Sequence, residues 1–289
     1  MKKLEQILFL QNLPHVGKAT IYRKYWHLLT NTDSIESLEV ELKDKFSQDA
    51  ILSAEQKAEK IINTIRLSES TTVLTSFDPE YPKKLLIMEE KRPLALYIKG
   101  ATAPLYNSSM AIVGTRHPSE YSIKVEKNLV RKILQLSNFV IISGLAIGCD
   151  YIAHETTAEQ NRPTIAVLPS GINKITPSAH RNLSEYIIER GGCLVSEYPP
   201  DTPAFRTNFI DRDSIIASLA DITFVVECEI KSGTMHTVNA AYAYGRKLAC
   251  FYPANENMDS YVGNRYMIEK RDSFKVSDTE ALQQLLNTV

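Results

Sequence analysis

Apolar and polar positions along the chain fall into two regimes. Up to about Leu67, apolar residues recur at helical spacing: Leu4, Ile7 and Leu8, then Ile21, Tyr25, Leu28 and Leu29, then Ile51, Ala54, Ala58, Ile61, Ile62 and Ile65. This predicts a small helical domain over residues 1–70. Residues 71–105 read as a connecting segment with short strands at Thr72–Thr75 and Leu94–Ile98. The turn Phe77-Asp78-Pro79-Glu80-Tyr81-Pro82 separates them, because each proline fixes φ and removes a donor.

Over residues 106–289 the pattern changes to apolar strands alternating with amphipathic helices. Strands are predicted at Ala111–Val113, Phe139–Ile142, Thr164–Leu168, Cys193–Val195, Ile222–Val226 and Leu248–Tyr252. Helices are predicted around Ile123–Leu136, Cys149–Gln160, Ala179–Glu189, Phe209–Leu219 and Met235–Tyr244. Continuous apolar strands joined by helices imply a mostly parallel sheet covered on both faces, a doubly wound α/β fold. In such a fold the ligand lies at the carboxyl ends of the strands.

Composition narrows the picture only a little. With 33 Lys+Arg against 34 Asp+Glu the formal net charge is -1, which argues against a basic wrapper of nucleic acid or an acidic tail. The start Met1-Lys2-Lys3-Leu4-Glu5-Gln6 is not an apolar signal, and no run reaches the ~18 apolar residues of a membrane span, so a cytoplasmic protein without membrane contact is expected. Cys149, Cys193, Cys228 and Cys250 lie far apart in apolar segments and form no Cys-x-x-Cys pair. Buried thiols are expected, with no metal and no cofactor.

Candidate chemistry gathers at the strand ends. The first long strand runs into Gly114-Thr115-Arg116, a flexible turn with a cation, which suits an anion as well as it suits a plain turn with a solvated arginine. The next ends in Ser143-Gly144-Leu145-Ala146-Ile147-Gly148-Cys149-Asp150, where Gly144 and Gly148 would let backbone amides approach a phosphate. The spacing matches neither a dinucleotide fingerprint nor a Walker loop. Asp150 and His154 stand i, i+4, open either to acid/base work or to a cap and a structural histidine. Further on, Arg212 opens the apolar stretch Arg212–Ala217, and Lys231-Ser232-Gly233-Thr234 offers a cation, hydroxyls and amides to a phosphate oxygen. Arg116, Arg212 and Lys231 leave from different strand ends and are expected to converge. Leu13-Pro14-His15-Val16-Gly17-Lys18-Ala19-Thr20, between two helices, fits a helix-hairpin-helix loop facing a phosphate, or an ordinary hairpin closing on Val16.

Taken in order, these motifs, with Ala153-His154, Thr164–Leu168, Ser196-Glu197-Tyr198-Pro199, Val225-Val226-Glu227 and Leu96-Tyr97-Ile98-Lys99-Gly100, resemble the DNA-processing protein A (DprA/Smf) family from about Thr72 to Phe274. The resemblance implies an extended Rossmann-like domain behind a small helix-hairpin-helix (SAM-like) domain. It implies a non-enzymatic protein that binds single-stranded DNA without sequence preference, protects it and helps load RecA in DNA uptake and recombination, working as a homodimer. It places Arg116, Arg212, Arg181 and the segment Lys231–Thr234 on the DNA backbone, with Phe209 or Phe205 stacking a base. The alternative, a nucleotide sensor or hydrolase of the related LOG-like group, would need a glutamate where Thr237 stands. Departures from the family pattern are Asp213-Ser214 in place of Asn-Arg, Pro169 for glycine, Thr176 for tyrosine, and no winged-helix segment after Leu286.

Overall fold

The computed structural model describes residues 1–68, 70–253 and 259–288. Among them, nine strands form one sheet in the order β1-β2-β6-β5-β4-β3-β7-β8-β9. These are β1 (Thr71–Thr75), β2 (Ala95–Gly100), β3 (Ser109–Val113), β4 (Val140–Ser143), β5 (Thr164–Val167), β6 (Cys193–Ser196), β7 (Ile222–Val225), β8 (Lys247–Phe251) and β9 (Phe274–Val276). From β6 across to β9 every pairing is parallel. At the other edge β2 runs antiparallel to both β6 and β1, so the segment expected to connect two domains instead lengthens the sheet.

Alternation along the strands builds two cores. On β3, Met110 and Ile112 face helices Glu120–Leu136, Cys149–Glu159 and Thr279–Leu286, which contribute Leu129, Ile133, Ala153 and Leu285. Ala111 and Val113 face the other side, where helices Arg206–Leu219, Thr234–Ala243 and Val262–Lys270 contribute Ile215, Ile216, Val238 and Met267. Ser119 caps the first of these helices, its Oγ accepting the Ser122 amide at 3.2 Å. The sheet is therefore covered on both faces, as its apolar strands require. Strand β9 and the two helices flanking it were not foreseen, because three strand residues beside Lys270, Arg271 and Asp272 make too short an apolar run.

The amino-terminal helices do not stand apart. Helix Lys2–Asn12 packs along helix Gln48–Arg66, and Leu4, Ile7, Leu8, Ala58 and Ile62 share a core with Tyr97, Leu168 and Leu194 of the sheet. The Trp26 and Phe77 rings stack at 4.6 Å across this junction. All four cysteines are free and buried, and burial pushes the Cys250 thiol up to about 11. Among the described residues no helix is long and apolar enough to cross a membrane, and no group of His, Cys, Asp and Glu is arranged to hold a metal.

The chain winds outward from β3 through β4, β5 and β6, then returns to start again at β7 on β3's other side. Two neighbouring strands whose connections depart in opposite directions leave a crevice at their carboxyl ends.

Candidate nucleic-acid interface

That crevice is a cleft of about 890 Å³ lined by Gly114, Thr115, Arg116, Arg206, Phe209, Arg212, Asp213, Ser232, Gly233 and Thr234 among others. Of the residues singled out in the sequence, the Gly114–Arg116 turn, Arg212 and Ser232–Thr234 are thus brought together. Lys231 is exposed beside Ser232 but outside the lining, and Arg181 is exposed at the start of helix Arg181–Glu189, also outside it.

The glycines hold loops against one another rather than open them to a ligand. A methyl on Gly114 would lie 2.5 Å from Cys149 Sγ. A methyl on Gly144 would coincide with Arg212 Nη1, and one on Gly148, at φ +80°, would strike the Thr115 carbonyl. Amides expected to face a phosphate are already bonded: Cys149 donates to the Thr115 carbonyl at 3.1 Å and Thr115 donates to the Glu227 carbonyl at 2.8 Å. The Ser143 hydroxyl is fully buried and donates to the Ile112 carbonyl. Thr234 Oγ1 donates to the Gly114 carbonyl at 2.9 Å, tying the β3 and β7 loops together, and Ser232 Oγ donates to the Glu229 carbonyl. What the Ser232–Thr234 loop offers a ligand is chiefly the start of helix Thr234–Ala243.

The arginines divide into two kinds. Arg116 and Arg206 are exposed at the mouth of the cleft. Arg212, expected to face the DNA backbone, is 4% exposed. It fills the space that Gly144 leaves, with Asp150 Oδ2 3.6 Å from Nη1 and Asp213 Oδ1 3.0 Å from Nε. Phe209 lies between the two kinds, with the Arg116 and Arg212 guanidinium carbons each 5.8 Å from its ring centre. Phe205 and Ile210 are 57% and 47% exposed nearby, an apolar rim on a cationic cleft.

Asp150 and His154 do not pair. Asp150 accepts the Ala146 amide at 3.3 Å and braces Arg212. His154 is fully buried with Nδ1 2.9 Å from Thr164 Oγ1. Because that hydroxyl already donates to the Ile141 carbonyl, it accepts from His154, whose Nδ1 we therefore assign the proton. Burial pushes its pKa down to about 3. It is a neutral core histidine without an acid/base role.

Arg206 was missed in the sequence. The predicted helix begins at Phe209, whereas the observed one begins at Arg206, which puts Arg206, Phe209, Ile210 and Asp213 on one face at i, i+3, i+4 and i+7. No capping side chain marks that start, since Phe205 precedes it. The amino-terminal loop shows the opposite outcome. Val16 is buried, and Lys18 Nζ lies 2.6 Å from Glu197 Oε2, whose side chain is 7% exposed. The loop closes as an ordinary hairpin, with its cation bound to the α/β layer.

Escherichia coli protein Smf is 37% identical over 168 residues, 58% of this chain and 44% of that protein. DNA processing protein DprA of Bacillus subtilis is 31% identical over 206 residues, 71% of this chain and 65% of its own length. The chain thus spans about half the length of the curated relatives it matches. Among solved structures, DprA of Streptococcus pneumoniae superposes with a TM-score of 0.80 over 96% of both chains at 22% identity. Helicobacter pylori DprA, whose structure describes a single-stranded DNA binding mode, superposes with a TM-score of 0.67 over 75% of this chain and 96% of its own, at 26% identity. The family model of DNA recombination-mediator protein A matches residues 72–287, well over half of the chain, and the protein belongs to that family.

Proposed function

We propose that the cleft between the β3 and β7 ends holds single-stranded DNA by its sugar-phosphate backbone, without reading sequence. The observation that carries this reading is Phe209, an aromatic face set between Arg116 and Arg212 with Arg206 on the same helix face. A base stacks on any aromatic ring, and exposed guanidinium groups bind phosphate in a sequence-tolerant, salt-sensitive way. Family membership and the H. pylori relative, described by its single-stranded DNA binding mode, support the same ligand. In this reading Arg116 and Arg206 contact phosphate, the Ser232–Thr234 loop lies beside them, Lys231 extends the path, and Arg212 supports the floor. The Gly114, Thr115, Ser143, Gly144 and Gly148 backbone keeps the loops in register. Arg181, away from the cleft, has no part in it.

The function is binding, not catalysis. The carboxylates lining the cleft, Asp150 and Asp213, are both engaged with Arg212, and the position where the related hydrolases need a glutamate is the buried Thr237. Shielding incoming strands and assisting a RecA-type recombinase, in a homodimer in the cytoplasm, complete the proposal. The direct test is binding of a labelled thymine oligomer at low salt by the parent and by Arg116→Ala/Arg206→Ala. Tight binding lost in the double variant is expected, and a parent that fails to bind overturns the reading.

A further inference from the structure

The residue beside the buried arginine has a consequence for how tightly the cleft holds its ligand. Five formally charged side chains line it: Arg116, Arg206 and Arg212 against Asp150 and Asp213, with His236 at the edge. With both carboxylates ionised and His236 neutral, the lining carries a single net positive charge. The two carboxylates are not equivalent. Asp150 accepts a backbone amide as well as facing Arg212, whereas Arg212 is Asp213's one ion-pair partner among the described residues. Their contacts with Arg212 are charge contacts without hydrogen-bond alignment, for Nε and Nη1 are buried with no acceptor. The field of the guanidinium is therefore cancelled by neighbours that form no directed bond with it.

We propose that Asp213 sets how firmly this cleft holds a phosphate chain, by neutralising Arg212, and that a proton on Asp213 strengthens the hold. The inference rests on the single-stranded DNA reading of the cleft. Four groups face Asp213: Arg212 from its own helix, Asp150 from helix Cys149–Glu159, His236 from helix Thr234–Ala243, and Arg116 from the loop after β3. Burial pushes the Asp213 carboxyl up to about 6, against the opposing pull of Arg212, so the proton is taken up close to neutrality. Protonation takes the net charge of the lining from one positive to two. Phosphate bound nearby disfavours the ionised carboxylate further, so binding takes up a proton and tightens as pH falls through this range.

The test is equilibrium binding of a thymine oligomer, whose bases do not titrate in the window, at about pH 7.5 and about pH 5.5. Parent, Asp213→Asn and His236→Gln are compared, with Asp213→Ser as a second replacement should the amide perturb folding. The parent is expected to bind roughly fivefold tighter at the lower pH, the effect of one charge a few ångströms from a phosphate in a partly wet site. Asp213→Asn is expected to bind more tightly than the parent at the higher pH, with a smaller response to pH than the parent's. Its salt dependence should steepen by about 0.7, the increment for one additional phosphate neutralised on a single strand. His236→Gln should still tighten as pH falls, and Asp213→Asn/His236→Gln should not. An Asp213→Asn protein that binds no more tightly than the parent at the higher pH, or responds to pH as strongly as the parent, overturns the inference. So does a response lost in His236→Gln, which assigns the titration to the histidine. Binding by no protein at either pH overturns the single-stranded DNA reading and the inference together, whereas binding that ignores pH in all of them overturns the inference alone.

Discussion

Two turns in this molecule have the same local chemistry, a glycine followed within two residues by a cation in the connection that leads into a helix: Gly114-Thr115-Arg116 and Gly17-Lys18. In the first, the loop is closed by Thr234 and Glu227, and the arginine is left exposed over an aromatic ring. In the second, the lysine lies 2.6 Å from a nearly buried carboxylate of the α/β layer. A short motif supplies the cation, and the rest of the fold decides whether it faces a ligand or a partner inside the protein. The decision is electrostatic: burial raises the Glu197 carboxyl, and Lys18 is the group that opposes this.

The comparison breaks most sharply at the cleft. Arg116→Ala/Arg206→Ala should weaken single-stranded DNA binding by more than about tenfold at low salt and flatten its salt dependence, with the melting temperature near the parent's, because both side chains are exposed. Titrating binding against salt concentration checks it. Next in size is Gly144→Ala. Its methyl would occupy the position of Arg212 Nη1, so the buried guanidinium must move or the loop must open, at a cost of about 2 kcal/mol. Denaturant unfolding reads that loss, and binding should fall with it.

At the other turn the pattern should reverse. Lys18→Ala leaves the Glu197 carboxylate without its partner and should lower stability by about 2 kcal/mol at neutral pH, while DNA binding changes little. The Glu197 pKa is already raised by burial and rises further without Lys18, so this loss should shrink as pH falls and the carboxyl takes its proton. Unfolding at two pH values separates this from simple loss of packing. The smallest effect is Glu126→Gln. Glu126 is fully buried, and burial holds its carboxyl well above the usual range against the opposing contact of the Cys149 thiol. A raised carboxyl favours the fold at low pH and loses that contribution as pH rises through the folded value, so the amide should match the parent in acid and exceed it at alkaline pH.

The fold was legible where burial writes itself into sequence. Strands β3, β4, β5, β7 and β8 are apolar on both faces, and the helices between them carry one apolar stripe each, so a covered parallel sheet followed directly. That β1 and β2 join the same sheet was not legible, because pairing Tyr97 with Ser196 is a contact between residues far apart in the chain. The site was half legible for the same reason. Gly114, Arg116 and Thr234 announce themselves by type, and they do meet. Arg212 announces itself too, but its burial depends on Asp150 and on the space above Gly144, neither of which its own segment contains. Arg206 lay outside the predicted helix because nothing in Ala204-Phe205 signals a cap. Lys18 has the type and spacing of a phosphate contact, and only Glu197, 179 residues further along the chain, makes it a partner inside the protein.

The claim that the cleft rather than the amino-terminal turn holds the strand is tested most directly by photo-crosslinking. A single-stranded oligomer carrying a photoreactive thymine analogue is irradiated on the protein, and the modified peptides are identified. Adducts on the segment Phe205–Arg212, with Phe209 the principal site, are the predicted result; adducts confined to Leu13–Thr20 would contradict it.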